Sequence, residues 1–236
     1  LKEVVMKETY SLENVSKISG IPVEQLKQAA EIFGTTKPGA ILYSMGITQH
    51  TVGVDNVRSV ANIQMLTGNL GKPGSGVNAL RGQNNVQGAC DMGALPVVFT
   101  GYQKVIDPAA YKKFADAWGF PGGICEPKNG YEVTVMMDVL TDNPGELKCM
   151  YIMGENPMLS DPDLNHVRHA LDSLEFMVVQ DIFLTETAEL ADVVLPAACY
   201  AERGGTQTST ERRVQMWRKA QDPPGEAKED WQIISE

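Results

Sequence analysis

The fold is decided by residues 147–196, which read LKCMYIMGENPMLSDPDLNHVRHALDSLEFMVVQDIFLTETAELADVVLP. This stretch contains three short apolar runs that are typical of buried strands: 147–153, 176–180 and 192–196. Residues 161–174 predict a helix between the first two runs, and 187–190 predict a short helix before the third. Strands that alternate with helices predict a parallel sheet. We therefore expect an α/β fold that is doubly wound, with mostly parallel sheets and helices on both faces.

The chain before this stretch carries one further strand signal and several helix signals. Residues 11–34 predict two short helices that are separated at Gly20. An apolar run at 39–45 predicts a strand, with a loop at 46–50 after it. Helices are expected over 56–66 and 107–118. Residues 133–140 predict a helix as well, although their β-branched residues leave a strand open.

Two other regions lack a simple pattern. Residues 68–93 are rich in Gly, Asn and Gln, which predicts a long irregular and functional segment. After Pro196, polar and apolar residues alternate at 206–209 and 213–217, as in a hairpin. The last residues open like a helix, with Asp230 as its expected N-cap, and we interpret the chain as the middle of a larger protein.

Composition limits the function. The chain has 236 residues, of which 43% are hydrophobic and 21% are charged, as in an ordinary globular protein. The formal net charge of -10 argues against nucleic acid as a partner, because phosphate binding needs clustered Lys and Arg. No apolar run is long enough to insert into a membrane, and no signal peptide is visible. The four cysteines have no Cys-x-x-Cys spacing, so we expect free thiols, no metal site and a cytoplasmic location.

The most unusual polar segment is Arg81-Gly82-Gln83-Asn84-Asn85-Val86-Gln87-Gly88. An Arg side chain can bind a carboxylate or phosphate through two parallel hydrogen bonds, and amide side chains suit a heterocycle with mixed donors and acceptors. The segment is consistent with either an anion or heterocycle site or a structural loop. The preceding Gly71-Lys72-Pro73-Gly74-Ser75-Gly76 predicts a tight loop, because Pro73 lacks a donor needed to bind phosphate.

Together these two runs resemble the molybdopterin oxidoreductase family, and within it the catalytic subunits of formate dehydrogenases. Further stretches resemble the family in order and approximate spacing: Met45-Gly46-Ile47-Thr48-Gln49, Tyr151-Ile152-Met153-Gly154-Glu155-Asn156-Pro157, and 180–196. The resemblance covers nearly the whole chain. It implies Rossmann-like lobes and, in the intact protein, oxidation of formate to carbon dioxide.

The resemblance also implies roles for individual residues. Arg81 matches the catalytic arginine that orients formate beside the metal. Gln49 and Gln83 match residues that line the pterin. The guanosine end of the cofactor is expected to lie against Gly154, Glu155, Asn156, Gln180, Asp181 and Asp192. Asp192 could equally be a residue that only begins a strand.

The implied cofactor is molybdopterin guanine dinucleotide with molybdenum or tungsten, and an iron–sulfur cluster lies outside this chain. The implied partners are formate, the remaining domains of the protein and electron-transfer subunits. By itself the chain is expected to be inactive. Three alternatives stay open: another molybdopterin oxidoreductase, a non-catalytic scaffold subunit of a respiratory complex, and a small-molecule binding module.

We expect two domains. Residues 1–82 predict an α/β lobe that contributes to the active-site cleft. Residues 83–236 predict an α/β lobe that binds molybdopterin guanine dinucleotide and ends in a hairpin tail. Arg81 is then at the junction, where ligand clefts tend to form.

Overall fold

The computed structural model describes residues 2–120, 122–124 and 126–236. The chain divides into two compact units, Leu1–Asn84 and Asn85–Glu236. This division falls two residues after the expected boundary between residues 82 and 83. Each unit is described by itself below.

The first unit begins with helices and ends with a small parallel sheet. Its elements are α1 (Lys2–Val5), a 3₁₀ turn (Glu8–Tyr10), α2 (Leu12–Ser19), α3 (Val23–Thr35), β1 (Ala40–Tyr43), α4 (Met45–Thr48), α5 (Gly53–Leu66) and β2 (Gly76–Ala79). The Ser11 hydroxyl accepts a hydrogen bond from the Asn14 amide at the start of α2, and Gly20 ends the helix with a φ of 75°. The predicted pair of short helices is confirmed.

The sheet of the first unit is held by two buried amide side chains. β1 and β2 pair in parallel, and α5 forms the crossover between them. Gln64 of α5 is fully buried, and its Nε2 donates to the carbonyl oxygens of Gly39 (3.0 Å) and Gly76 (2.7 Å). Asn69, also fully buried, accepts the Gly39 amide at 3.1 Å. These bonds fix the starts of both strands, because buried polar groups need partners.

The second unit contains the larger parallel sheet and two antiparallel hairpins. Its helices are α6 (Val86–Asp91), α7 (Pro108–Ala117), α8 (Val133–Asp142), α9 (Pro157–Ser160), α10 (Leu164–Asp172) and α11 (Asp230–Ser235), with 3₁₀ turns at Ala188–Leu190 and Tyr200–Glu202. Its strands are β3 (Val98–Phe99), β4 (Gln103–Lys104), β5 (Cys149–Met153), β6 (Phe176–Asp181), β7 (Val193–Pro196), β8 (Gly205–Thr208) and β9 (Val214–Trp217).

The three strands that the sequence predicted form one sheet in the order β5-β6-β7, and all pairs are parallel. Side chains alternate across a strand, so Ile152, Met177 and Val179 share one face. They form the core with buried residues of α8 and α10, among them Leu140, Val167, Ala170 and Leu171. The expected α/β class with parallel sheets is confirmed. β8 and β9 form the expected hairpin.

Several local predictions were wrong. Residues 45–48 form helix α4 where a loop was expected, and the irregular region 68–93 contains both β2 and α6. These elements have four to six residues and, unlike the strands of the larger sheet, contain no continuous apolar run that would reveal them.

Three helix boundaries also differ from the predicted ones. Helix α10 begins at Leu164 rather than 161, because Asp163 caps it. Helix α5 begins at Gly53, three residues before the predicted start. The N-cap of α11 is Glu229 instead of Asp230, since Glu229 and Gln232 form a capping box.

Among the residues that the structure describes, none of the helices combines the length and apolar character needed to cross a membrane. Within the same ranges, no group of three or more His, Cys, Asp or Glu side chains is arranged to hold a metal ion. Cys90, Cys149 and Cys199 are free thiols. Cys125 lies outside the described residues.

Candidate functional site

In the first unit, the loops after β1 and β2 begin side by side at the carboxyl edge of the sheet. The Leu80 amide donates to the Tyr43 carbonyl at 2.8 Å, and the Ser44 hydroxyl donates to the Leu80 carbonyl at 3.1 Å. These bonds join the segment that leads to Gln49 with the segment that leads to Arg81. Carboxyl ends of parallel strands are where α/β sheets bind ligands.

The position of Gln49 is set by the short helix α4. Gln49 is exposed and follows the helix directly. The Asn56 side chain donates to the Ile47 carbonyl at 3.0 Å, which attaches α4 to α5. Gly53 permits the close contact, since a Cβ there would lie 2.0 Å from the Thr48 carbonyl oxygen.

Arg81 is exposed and its guanidinium carries an unpaired charge. Across the described part of the chain, it makes no hydrogen bond or ion pair. The other arginine of this unit, Arg58, pairs with Asp55 at 3.2 Å. Gln83 is likewise exposed, in the irregular segment after Arg81. The Arg81 guanidinium is thus available to an anion, and a planar carboxylate suits its geometry.

In the second unit, the loops after β5, β6 and β7 meet at the carboxyl edge of the larger sheet. Gly154 follows β5 with a φ of 64°, and its amide donates to the Gln180 carbonyl at 2.9 Å. The Ala197 amide after β7 donates to the Asp181 carbonyl at 3.0 Å. Glu155 is exposed and accepts from the Ser160 hydroxyl at 2.6 Å. The structure therefore brings the predicted loops after β5 and β6 together.

Asn156 links those two loops through its side chain. Its Oδ1 accepts from the Thr187 amide (3.2 Å) and hydroxyl (2.7 Å), and its Nδ2 donates to Glu186 at 2.8 Å. The bond from Asn156 lowers the pKa of the Glu186 carboxyl, with a further contribution from the Glu186 backbone amide. Thr187 is fully buried and also accepts the Met158 amide at 3.1 Å. The loop pair is therefore held by an interlocked polar cluster.

Gln180 is fully buried at the end of β6, with both ends of its amide engaged. Tyr151 donates to its Oε1, and its Nε2 donates to Asp230 Oδ1 at 2.8 Å. The second oxygen of Asp230 pairs with Arg203. Arg203 and Asp230 were missed as site residues. Asp230 carried only a helix-start signal, and no local signal singled out Arg203.

A cavity of about 270 Å³ opens at this edge. Its walls include Gly154, Gln180, Asp181, Arg203 and Asp230. Asp181 is half-buried, and its Oδ1 accepts from the amides of Ile182 (2.6 Å) and Phe183 (3.2 Å). The cavity contains both carboxylates and a guanidinium, and a ligand with mixed donors and acceptors would fit it.

Asp192 is not part of this edge. Its Oδ2 accepts from the Met177 amide at 2.7 Å, and its own amide donates to the Met177 carbonyl at 2.9 Å. Met177 lies near the start of β6, so Asp192 is at the amino end of the parallel strands. The structure gives Asp192 the contacts of a residue that begins a strand.

The donor set at the carboxyl edge fits the nucleotide end of a cofactor. Within the described residues, Arg203 Nε is buried and has no hydrogen-bond partner. The fold and the residues at this edge define an α/β protein with a polar cavity beyond the carboxyl ends of its strands, the place where such sheets bind ligands.

Comparison with known proteins identifies the family. Residues 8–236 match the molybdopterin oxidoreductase family, and the chain belongs to it. It is 57% identical over 234 residues to the F420-dependent formate dehydrogenase subunit alpha of Methanocaldococcus jannaschii, covering 99% of this chain and 33% of that protein. It is 48% identical to formate dehydrogenase H of Escherichia coli, covering 97% of this chain and 32% of that protein.

The chain thus spans about a third of the length of the curated relatives it matches. A solved structure, the acetylene hydratase of Pelobacter acetylenicus, has a TM-score of 0.71 with 19% identity. It covers 99% of this chain, which spans 34% of the hydratase. At that identity the likeness shows the fold. Membership of the family implies a molybdopterin cofactor.

Proposed function

We propose that this chain is the central part of the catalytic subunit of a formate dehydrogenase. The intact protein would oxidise formate to carbon dioxide with release of one proton and two electrons. Relatives that are 48% and 57% identical bear the name formate dehydrogenase, which supports the proposal. The single observation that carries it is the exposed guanidinium of Arg81, which no described residue pairs with, at the carboxyl edge of a parallel sheet.

Arg81 is proposed to be the catalytic residue that orients formate. A guanidinium can hold a carboxylate by two parallel hydrogen bonds, which fixes the direction of the formate C–H bond. The positive charge also stabilises the bound anion relative to water. Arg58 differs from Arg81, because its guanidinium already pairs with Asp55 at 3.2 Å.

We assign cofactor contacts to both units as part of the same proposal. When bound, molybdopterin guanine dinucleotide supplies the two-electron redox chemistry through its molybdenum or tungsten. Gln49 and Gln83 would lie along the pterin, where their amides can donate and accept. The guanosine end would be held by the carboxyl-edge residues: Gly154, Glu155, Asn156, Gln180 and Asp181. Asp192 was expected among them, but its contacts with Met177 place it at the opposite edge.

The remaining partners of the intact protein also belong to this proposal. Electrons would leave through an iron–sulfur cluster held outside this chain and then through electron-transfer subunits. The cytoplasmic location expected from the sequence stays a prediction.

The test is formate turnover by the full-length protein with Arg81→Lys, beside a matched Arg58→Lys variant. Lys keeps the charge and loses the planar fork. We expect Arg81→Lys to retain metal and cofactor and to lose formate turnover by at least about 100-fold, as on removal of a fixed transition-state donor. Arg58→Lys should turn over formate like the wild type.

Two results would count against the proposal. Formate turnover by Arg81→Lys at the wild-type rate would remove Arg81 from catalysis. A wild-type protein that carries its metal and ignores formate would show that the substrate is wrong, and the alternative of another molybdopterin oxidoreductase would then apply.

A further inference from the structure

The peptide unit that leads into Arg81 is held by the loop after β1. The last pair of the β1–β2 register joins Tyr43 to Ala79. Beyond that pair, the Leu80 amide still donates to the Tyr43 carbonyl at 2.8 Å, and the Leu80 carbonyl accepts from the Ser44 hydroxyl at 3.1 Å. The Leu80 carbonyl belongs to the same planar unit as the Arg81 amide. The Ser44 bond therefore orients the plane from which Arg81 starts.

The hydrogen bonds that restrain Arg81 all come from its amino-terminal side. Within the described residues, the backbone of residues 81–84 makes no hydrogen bond, and the Arg81 guanidinium makes no hydrogen bond or ion pair. Gly82 follows directly, and glycine has the widest choice of backbone conformations. The direction of the Arg81 side chain thus depends on how firmly the Leu80 carbonyl is held.

The hydroxyl of Ser44 is used in an unexpected way for its position in the chain. Ser44 is the N-cap of α4, with an extended backbone of φ -146° and ψ -151°. A serine at an N-cap ordinarily accepts the amide of the second or third helical residue with its side chain. Ser44 makes no such bond, and its hydroxyl donates to the Leu80 carbonyl instead. The side chain therefore serves the loop after β2 rather than its own helix.

We propose that Ser44 is a positioning residue for Arg81 in formate oxidation. The inference rests on the proposed role of Arg81 in orienting formate. By holding the Leu80 carbonyl, Ser44 limits the directions in which the Arg81 guanidinium can point and keeps its two parallel donors on the formate carboxylate. Small displacements of a group that orients a substrate have large effects on rate, so this restraint is felt in turnover. Ser44 acts only through Arg81.

The test is formate turnover by the full-length protein with Ser44→Ala, which removes the donor. We expect kcat/KM for formate to fall about 5-fold, the factor that corresponds to one net hydrogen bond of about 1 kcal/mol, with metal and cofactor content unchanged. Ser44→Thr keeps a hydroxyl and should restore the wild-type value. Ser59→Ala is the matched control, since it removes an exposed hydroxyl that donates to the Asp55 carbonyl at 2.8 Å inside α5, and its turnover should equal that of the wild type.

Two further measurements separate positioning from a general loss of structure. In a double-mutant cycle, Ser44→Ala should have no further effect on kcat/KM in the Arg81→Lys background, where the planar fork is already absent. Hydrogen exchange of peptides that contain Leu80 and Arg81 gives a readout independent of turnover. Exchange should be faster in Ser44→Ala than in the wild type and unchanged in Ser59→Ala.

The outcomes distinguish this inference from the proposed function. Wild-type kcat/KM in a folded Ser44→Ala, the same loss in the Arg81→Lys background, or unchanged hydrogen exchange would overturn the role of Ser44 and leave that of Arg81 standing. If Ser44→Ala does not fold, Ser44→Cys replaces it, because a thiol is only a weak donor and kcat/KM should fall in the same direction. Wild-type turnover by Arg81→Lys would instead overturn the proposed role of Arg81 and this inference with it.

Discussion

The polar cluster around Thr187 gives a stability prediction whose magnitude follows from its contacts. Replacing Thr187 by Val keeps the shape of the side chain and removes the hydroxyl. That hydroxyl donates to Asn156 Oδ1 at 2.7 Å and accepts from the Met158 amide at 3.1 Å, and Thr187 is fully buried. Loss of one net hydrogen bond costs about 1 kcal/mol, and the Met158 amide left without a partner costs about 1–3 kcal/mol. We expect Thr187→Val to destabilise the second unit by about 3 kcal/mol.

Tryptophan fluorescence isolates this effect, because Trp118, Trp217 and Trp231 are the three tryptophans of the chain and all lie in the second unit. The thermal midpoint followed by fluorescence should fall by roughly 6–12 °C, at about 2–4 °C per kcal/mol for a unit of this size. Thr134→Val is the matched control, since Thr134 is exposed on α8 and its hydroxyl makes no hydrogen bond within the described residues. A shift in Thr187→Val no larger than that of the control would refute the reasoning.

Two further changes test the packing of α4 and the titration of Glu186. Gly53→Ala places a Cβ 2.0 Å from the Thr48 carbonyl oxygen, so we expect destabilisation of about 1–3 kcal/mol by circular dichroism melting. Gly34→Ala, inside helix α3 with open space around it, should instead be neutral or stabilising, and equal effects of the two would contradict the contact. The pKa of Glu186 is lowered from its ordinary 4.5 by the Asn156 hydrogen bond, so its stabilising contribution is present above 4.5 and is lost as the pH falls through the lowered pKa. As the pH falls through that range, the free energy of unfolding of the wild type should therefore decrease more than that of Glu186→Gln. If the free energies of unfolding of the two proteins change in parallel with pH, the hydrogen bond between Asn156 and Glu186 is not maintained in solution.

Local patterns predicted the elements of the larger sheet well. The three apolar runs became β5, β6 and β7, and the cap at Ser11 and the stop at Gly20 bounded α2. Capping and hydrophobic period depend on residues within one or two turns, so they are visible in the sequence. The short elements α4 and β2 were missed because their sequences, MGIT and GVNA, contain neither a continuous apolar run nor a helical period. Their positions depend instead on contacts such as those of Asn56 and Gln64.

The candidate site was predicted only in part for a related reason. The loops after β5 and β6 could be placed at one edge, since parallel strands present their carboxyl ends together. The same argument could not place Asp192, whose side chain turns back to the Met177 amide at the other edge.

The sequence by itself determined the α/β class, the order of the strands and helices of the larger sheet, and the family motifs that include Arg81. Only the tertiary structure decided that Gln180 meets Asp230, 50 residues away, and that Arg203 pairs with the same aspartate. The physical reason is the distance along the sequence over which each interaction acts. Backbone preference and apolar period are fixed by near neighbours, whereas the partner of a buried polar group is chosen by whichever distant segment packs against it and can satisfy its hydrogen bonds.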